Sequence, residues 1–339
     1  MIQQKIKFAV CGCGVIGKRH ADLIIANPGA ELVALVDTNT SLEKDLMLRY
    51  NVPFFKKLND LFLNGIKPDV VNICTPNGYH APLSLIALQN NCHVVCEKPM
   101  ALTKSDAEKM VHASLEANRN LFCVMQNRYS PPSQWLKSLM SENRLGKIYM
   151  VTIQCFWNRD ERYYKPGSWK GTKAMDGGVL FTQFSHFIDI MYWLFGDIAD
   201  IKAYFKNFEH TQNTEFEDSG TVIFNFLDGG SGTFSYSTAV WDKNMESSMS
   251  IVGANGAVKV SGQYMDKVEY CHLKNYSMPA LEPSAPPNDY GAYKGSAANH
   301  HFIIDNVIET LQGRSAITTN ALEGLKVVEI IERIYALKG

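Results

Sequence analysis

The chain has almost no excess of either charge: 33 lysines and arginines stand against 34 aspartates and glutamates, a formal net charge of −1 over 339 residues. That balance argues against nucleic acid or an anionic membrane surface as the main partner, while leaving room for a local basic pocket. No apolar run reaches the 18 residues a membrane-spanning helix needs. The opening MIQQKIKFAV carries no charged leader, long apolar stretch or cleavage site, so a cytoplasmic protein with no membrane partner is expected. Paired CxxC knuckles are also missing. Six of the eight cysteines (Cys11, Cys13, Cys74, Cys92, Cys96 and Cys123) lie in or beside apolar stretches, where a free thiol behaves as a small hydrophobe, so no metal is expected. No internal repeat or low-complexity tract occurs. What is present is an ordinary globular mixture, 46% hydrophobic and 20% charged, in a chain long for one core. Two domains are therefore expected, 1–125 and 126–339, with the terminal helices free to pack back on the first.

The most informative stretch is Lys5 to Gly17, KIKFAVCGCGVIG. A lysine-flanked apolar run reads as a buried parallel strand, and it ends in Gly12-Cys13-Gly14-Val15-Ile16-Gly17 with a helical segment following at once. Gly12 allows a tight turn, Gly14 lets the backbone approach a pyrophosphate, and Gly17 lets helix and strand pack closely. The helix N-terminus, with Val15 and Ile16, supplies N–H groups and the positive end of the dipole. The next strand, Ala30 to Val36, ends in Asp37, about twenty residues past Gly17, where an acid is expected on the adenosine ribose. An acid there, with no cation in Thr38-Asn39, favours NAD over NADP.

Strands and helices continue to alternate as far as Met125, which predicts an α/β fold with a doubly wound parallel sheet whose ligands lie at the carboxyl ends of the strands. Three such ends carry unusual residues: Thr75-Pro76-Asn77-Gly78-Tyr79-His80, Glu97-Lys98-Pro99 and Gln126-Asn127-Arg128-Tyr129. From about Lys147 long alternating runs and the turns at Asp228-Gly229-Gly230 and Ala254-Asn255-Gly256 predict a mostly antiparallel sheet. One long helix, Gly177 to Phe195, interrupts it, a loop fills Lys274 to Ser296, and helices close the chain over Asn299 to Gln312 and Ala321 to Leu337. An open sheet of this kind pairs with another copy, so a homo-oligomer is expected.

Two residues stand out chemically. Lys98, at the end of a central strand and followed by proline, reads as an ammonium aimed into a cleft; the plain alternative is a lysine paired with Glu97 to hold the loop. The helix DGGVLFTQFSHFIDIMYWLFG is apolar nearly all round, yet Thr182, Gln183, His186 and Asp189 recur at one, three and four residues as a polar stripe. His186 is the natural acid or base there. Arg159, Arg162 and Lys165, beside Tyr163 and Tyr164, form a cationic cluster suited to carboxylate or diphosphate, or else a salt-bridged loop with Asp160 and Glu161.

Taken in order, GxGxxG, Asp37, Thr75-Pro76-Asn77 with His80, Glu97-Lys98-Pro99 and the GGxxxxxxxHxxD helix resemble the Gfo/Idh/MocA family of nicotinamide-dependent sugar oxidoreductases over essentially the whole chain. The resemblance implies a Rossmann domain joined to an α+β domain with a large open-faced, mostly antiparallel sheet. NAD would lie across the strand ends against Gly12, Gly14, Val15, Ile16, Gly17, Asp37, Thr75, Pro76, Asn77, His80, Glu97, Lys98 and Gln126. Trp169 and Lys170 would correspond to the family's Trp-Arg or Trp-Lys pair near the nicotinamide. It further implies Lys98 and His186 as catalytic residues, with Arg159, Tyr164, Lys165, Thr182, Gln183, His186 and Asp189 on the substrate. Many members carry an aspartate four residues before the histidine, where this chain has Thr182. Its amide-bearing segment is more similar to the branch that oxidises C3 of UDP-N-acetyl-2-amino-2-deoxyglucuronate. Inositol or free-sugar oxidation is the alternative within the family, and a non-catalytic NAD-binding regulator the alternative outside catalysis; loss of Lys98 or His186 would mark the latter, and both are present.

Overall fold

A computed structural model of the protein describes residues 4–291 and 293–338; the first three residues, ahead of the opening strand, residue 292, in the expected long loop, and residue 339 lie outside it. The chain divides into two compact units, residues 1–124 with 300–328 and residues 125–299 with 329–339.

The first unit opens with β1 (Ile6–Cys11), α1 (Val15–Ala26), β2 (Ala30–Val36), α2 (Glu43–Tyr50) and β3 (Phe54–Phe55). It continues through α3 (Leu58–Leu63), β4 (Val70–Ile73), α4 (His80–Gln89), β5 (His93–Cys96), α5 (Lys104–Glu116) and β6 (Leu121–Cys123). All pairings are parallel, in the order β3-β2-β1-β4-β5-β6. Consecutive residues of β4 and β5 are buried on both faces, Val70, Val71, Asn72 and Ile73 and then Val94, Val95 and Cys96, as a parallel sheet with helices on either side requires. The strand order reverses between β1 and β4, and this is where such sheets open a crevice for ligands. The short pair β3 and α3 gave no signal in the sequence, being two and six residues long.

The second unit contains α6 (Pro131–Ser141), β7 (Ile148–Phe156), α7 (Val179–Thr182), α8 (Ser185–Phe195), β8 (Ile198–Lys206), β9 (Ser219–Phe226) and β10 (Ser231–Ser237). Then come β11 (Glu246–Gly253), β12 (Gly256–Ser261), β13 (Lys267–Leu273), and the hairpin of β14 (Pro287–Asp289) and β15 (Lys294–Ala297) inside the stretch expected to be a loop. Seven strands run β13-β12-β11-β7-β10-β9-β8, antiparallel except for the central pair β7 and β10. One face is a hydrophobic row across the sheet, with Val222, Phe234, Ile153, Met249 and Val260 in register and buried. Phe184 and Phe195 cover it, with ring centroids 5.7 Å from Tyr236 and 5.1 Å from Phe226. The opposite face runs Ile223, Thr233, Thr152, Ser250 and Lys259 in the same register, flanked by exposed Tyr149, Met150, Tyr204, Val252 and Tyr270.

The helix expected over Gly177 to Phe195 is two helices. Both Gln183 and Phe184 direct their backbone N–H to the Val179 carbonyl, at 2.9 and 3.2 Å, a wide turn that ends α7 and restarts the chain as α8. The last segment returns to the first unit as α9 (His300–Leu311), and residues 318–320 lie along β6, with Cys123 N–H donating to the Thr319 carbonyl at 2.9 Å. The chain ends in α10 (Ala321–Tyr335). Val328, Ile331 and Ile334, three residues apart along one side of α10, are buried, and Leu322 in its first turn is exposed. Among the described residues no helix is long and apolar enough to cross a membrane, and all eight cysteines are free thiols.

Candidate active site

In the first unit the glycine turn shows why each glycine is required. Gly12 sits at φ +92, and a Cβ there would meet the Cys74 carbonyl oxygen at 2.6 Å; one on Gly17 would fall 1.7 Å from the Gly12 oxygen. Gly14 caps α1 and faces open space, so the room a side chain would fill is left clear. No side chain caps this helix and no acid occupies its first turn, which leaves its positive end available to an anion. Asp37 accepts the Cys13 N–H at 2.6 Å and the Asn39 N–H at 2.8 Å, which fixes its carboxylate at the end of β2. Beyond β4, Thr75 Oγ1 is buried with no hydrogen-bond partner, and Asn77 is buried in the following turn. An open glycine cradle, a helix N-terminus, an oriented carboxylate and an orphaned hydroxyl are the donor set a dinucleotide needs, so NAD fits these residues.

Two expected cofactor ligands have other work. His80 places Nδ1 2.7 Å from the Pro99 carbonyl and Nε2 2.9 Å from the Thr75 carbonyl, so both ring nitrogens are committed to the backbone. Burial pushes its pKa down, against the pull of those two carbonyls. Glu97 is buried against His20 and His300. Burial alone would raise its carboxyl, and the two imidazoles overcome this, holding it well below the usual carboxylate range. His80 and Glu97 therefore support the loops from within. From Val94 to Ala101 every residue is buried except Lys98, which emerges from the end of β5. Neither His20 nor His300 was found from the sequence: the first looks like an ordinary helix residue three past Gly17, and the second is some two hundred positions away from Glu97.

The second unit carries the histidine helix. His186 lies in the first turn of α8 and is buried. The break at Gln183–Phe184 separates Thr182 and Gln183 from His186 and Asp189, and the expected companions of His186 all make hydrogen bonds within the protein. Thr182 Oγ1 donates to both the carboxylate and the carbonyl of Asp176. Gln183 accepts from Arg159 Nε at 2.8 Å and donates to the Tyr163 hydroxyl at 2.7 Å. Asp189 receives two bonds from Arg128, at 2.8 and 2.6 Å, in a fully buried ion pair.

The cationic cluster also divides. The Arg159 guanidinium is buried against the rings of Trp157, Tyr163 and Tyr293, at 4.8, 5.2 and 4.9 Å, and hydrogen bonds to Gln183, Asn158, Asn244 and Lys294, all through neutral acceptors. Burial lowers its pKa from the usual arginine value. Arg162 is tied to Asp160 at 2.6 Å, the salt-bridged loop of the plain reading, and Lys165 is exposed. Tyr164 is buried edge-on to Tyr163 at 4.9 Å. Lys170 packs its ammonium 3.8 Å from the centre of the Tyr163 ring and bonds the Tyr293 hydroxyl at 3.1 Å, while Trp169 beside it is half-buried. Gln126 is buried at the start of the second unit. The aromatic pair Tyr163 and Tyr293, 4.8 Å apart between two cations, was not anticipated, because its members lie on either side of seven strands, β8 to β14.

Comparison with known proteins agrees with this architecture. Residues 6–125 match the description "Oxidoreductase family, NAD-binding Rossmann fold", and residues 133–259 match the GFO/IDH/MocA C-terminal domain. The WlbA dehydrogenase from Bordetella pertussis, solved with NADH and UDP-GlcNAcA, is 31% identical over 98% of this chain and 96% of its own, with a TM-score of 0.86. The D-glucoside 3-dehydrogenase of Escherichia coli is 29% identical over 199 residues, 58% of this chain, and the inositol 2-dehydrogenase of Salmonella paratyphi B is 27% identical over 230 residues, 66% of this chain. The chain matches only 56% and 65% of the lengths of these two relatives. The glycine cradle, the two-unit organisation and the likeness that runs through both units lead to one conclusion: the chain belongs to the Gfo/Idh/MocA oxidoreductase family, with an NAD-binding Rossmann domain followed by that family's C-terminal domain.

Proposed function

We propose that the protein is an NAD-dependent sugar dehydrogenase that oxidises the C3 hydroxyl of UDP-N-acetyl-2-amino-2-deoxyglucuronate, in a cytoplasmic setting to which eight free thiols are suited. The observation that carries the reading is the likeness along 98% of the chain to a dehydrogenase solved with both NADH and that nucleotide sugar. Bound NAD supplies the hydride acceptor. The chain's own residues handle the other charge. The Lys98 ammonium stabilises the oxygen as it becomes an alkoxide, and the His186 ring takes the hydroxyl proton. Arg159, buried with neutral partners, contributes an uncompensated positive charge behind Gln183 and Tyr163, which favours an anionic substrate.

The test offers purified protein NAD with UDP-N-acetylglucosamine, its C6 uronate, free N-acetylglucosamine or myo-inositol, and follows both bound and free NADH. Reduction is expected with the UDP-uronate and only weakly with the others. Efficient turnover of myo-inositol or a free hexose, with none on the nucleotide sugar, would remove the substrate assignment and leave the family intact.

We also propose that a second copy of the chain covers the outer face of the seven-stranded sheet. That face carries threonine, serine and exposed apolar side chains, with its lysines, Lys202, Lys206 and Lys259, on the strands toward its two edges. Light scattering is expected to give a mass of at least two chains, falling to one chain for Ile223→Lys. A wild-type monomer would end this proposal.

A further inference from the structure

Three buried imidazoles reach the two residues that flank Lys98. His20, on α1, accepts from Asn72 Nδ2 at its Nδ1, 2.8 Å away, which places its proton on Nε2, 3.0 Å from Glu97 Oε1. His300, the first residue of α9, brings its Nε2 to 3.5 Å from the same oxygen, with its ring edge-on to His20 at 5.7 Å. The other carboxylate oxygen, Oε2, accepts the backbone N–H of Lys98 at 3.3 Å. On the far side of the lysine, His80 at the head of α4 holds the Pro99 carbonyl at 2.7 Å.

The three donor atoms of His20, Glu97 and His300 lie within 4.8 Å of one another, the composition of a metal centre. Their geometry is that of a hydrogen-bonded group instead. The Asn72 contact leaves a proton, not a lone pair, on the His20 nitrogen that faces Glu97, and a metal ligand needs the lone pair. Simple core filling does not account for it either. Apolar residues of similar size fill a buried space without the desolvation that a carboxylate and two imidazoles bring. What the polar group provides is direction.

Resting on the reading that Lys98 acts on the reacting oxygen, we infer that His20, His300 and His80 are positioning residues that clamp Glu97 and Pro99, so that the lysine between them leaves the strand end in a single orientation. The clamp draws on α1, α4 and α9, and its effect is local to the one residue of 94–101 that is not buried. Loosening it misdirects the ammonium while leaving the glycine cradle intact.

The test uses His300→Leu, which removes the donor, and His300→Gln, which keeps one. Lys98 is followed without any substrate, as its 13C-dimethylamine resonance after reductive methylation, assigned by its loss in Lys98→Met. The resonance is expected to shift and broaden in His300→Leu and to return toward wild type in His300→Gln. In turnover, His300→Leu is expected to lose about tenfold or more in kcat with NADH affinity unchanged, and to cause no further loss in a Lys98→Met background. An unmoved resonance in folded His300→Leu, or an equal loss of kcat with and without Lys98, overturns the clamp. So does stoichiometric Zn2+ held by the wild type and released by His300→Leu, which would make the group a metal centre. If Lys98→Met keeps full turnover while the resonance still moves, the clamp stands and the catalytic role of Lys98 falls.

Discussion

Lys98→Met and His186→Asn are each expected to lower turnover by roughly 100-fold or more while leaving NADH affinity and melting temperature near wild type, the scale of a lost electrostatic or acid-base group. The surroundings of each residue explain why folding should be spared. Lys98 is the partly exposed member of a buried loop, and Lys98→Met keeps an unbranched side chain of similar length there. The Glu97 carboxylate keeps His20, His300 and the backbone N–H of residue 98 as partners. His186 is buried in the first turn of α8, and asparagine keeps a polar side chain there. The check is steady-state turnover with the UDP-uronate beside NADH titration and a melting curve. Near-normal turnover in either variant would remove that residue from the chemistry; a large fall in melting temperature would make it structural.

Asp189, one turn further along the same helix, is expected to behave in the opposite way. Its carboxylate takes two hydrogen bonds from Arg128, and the two side chains are 1% and 0% exposed. The guanidinium also stacks 5.2 Å from the Trp193 ring. Asp189→Asn leaves a buried guanidinium with its counter-charge gone, which costs about 3–5 kcal/mol. Replacing both partners, Arg128→Met with Asp189→Leu, removes the uncompensated charge and is expected to recover most of that loss. Guanidinium titration monitored by tryptophan fluorescence, from Trp193 among others, reads both variants. If Asp189→Asn unfolds within about 1 kcal/mol of wild type, the pair is not what anchors α8.

The contrast between these neighbours shows what can be read from sequence. Positions fixed by local order were legible: the glycine turn, Asp37 and Lys98 follow the ends of β1, β2 and β5, and local order along the chain is enough to place them. The parallel sheet was legible for the same reason, since each strand and its crossover helix are consecutive. Pairings between distant residues were not. Arg128 and Asp189 are 61 positions apart, and His20 and Glu97 are 77 apart, so nothing in either neighbourhood announces the other. Closeness in sequence also misled. Arg159, Arg162 and Lys165 look like one basic patch, yet the chain turns one under three aromatic rings, ties one to Asp160 and leaves one in solvent. A periodic pattern also cannot show that Gln183 and Phe184 share one carbonyl acceptor, so the one helix expected over the histidine segment is two.

The return of residues 300–328 to the first unit sets the order in which a ribosome can deliver a finished fold. When β6 emerges, the partner of its outer edge, the segment around Thr319 and Asn320, has not been made. The nascent first unit must wait for residues 125–299 of the second unit to be translated, on the order of ten seconds or more at ~5–20 residues per second, with that edge uncovered. His300 arrives just as late, so the group around Glu97 is completed only when nearly all of the chain exists. A chain released early, even with every residue of the glycine turn and of the Glu97-Lys98-Pro99 loop in place, carries an unfinished sheet edge and a buried carboxylate short of one donor.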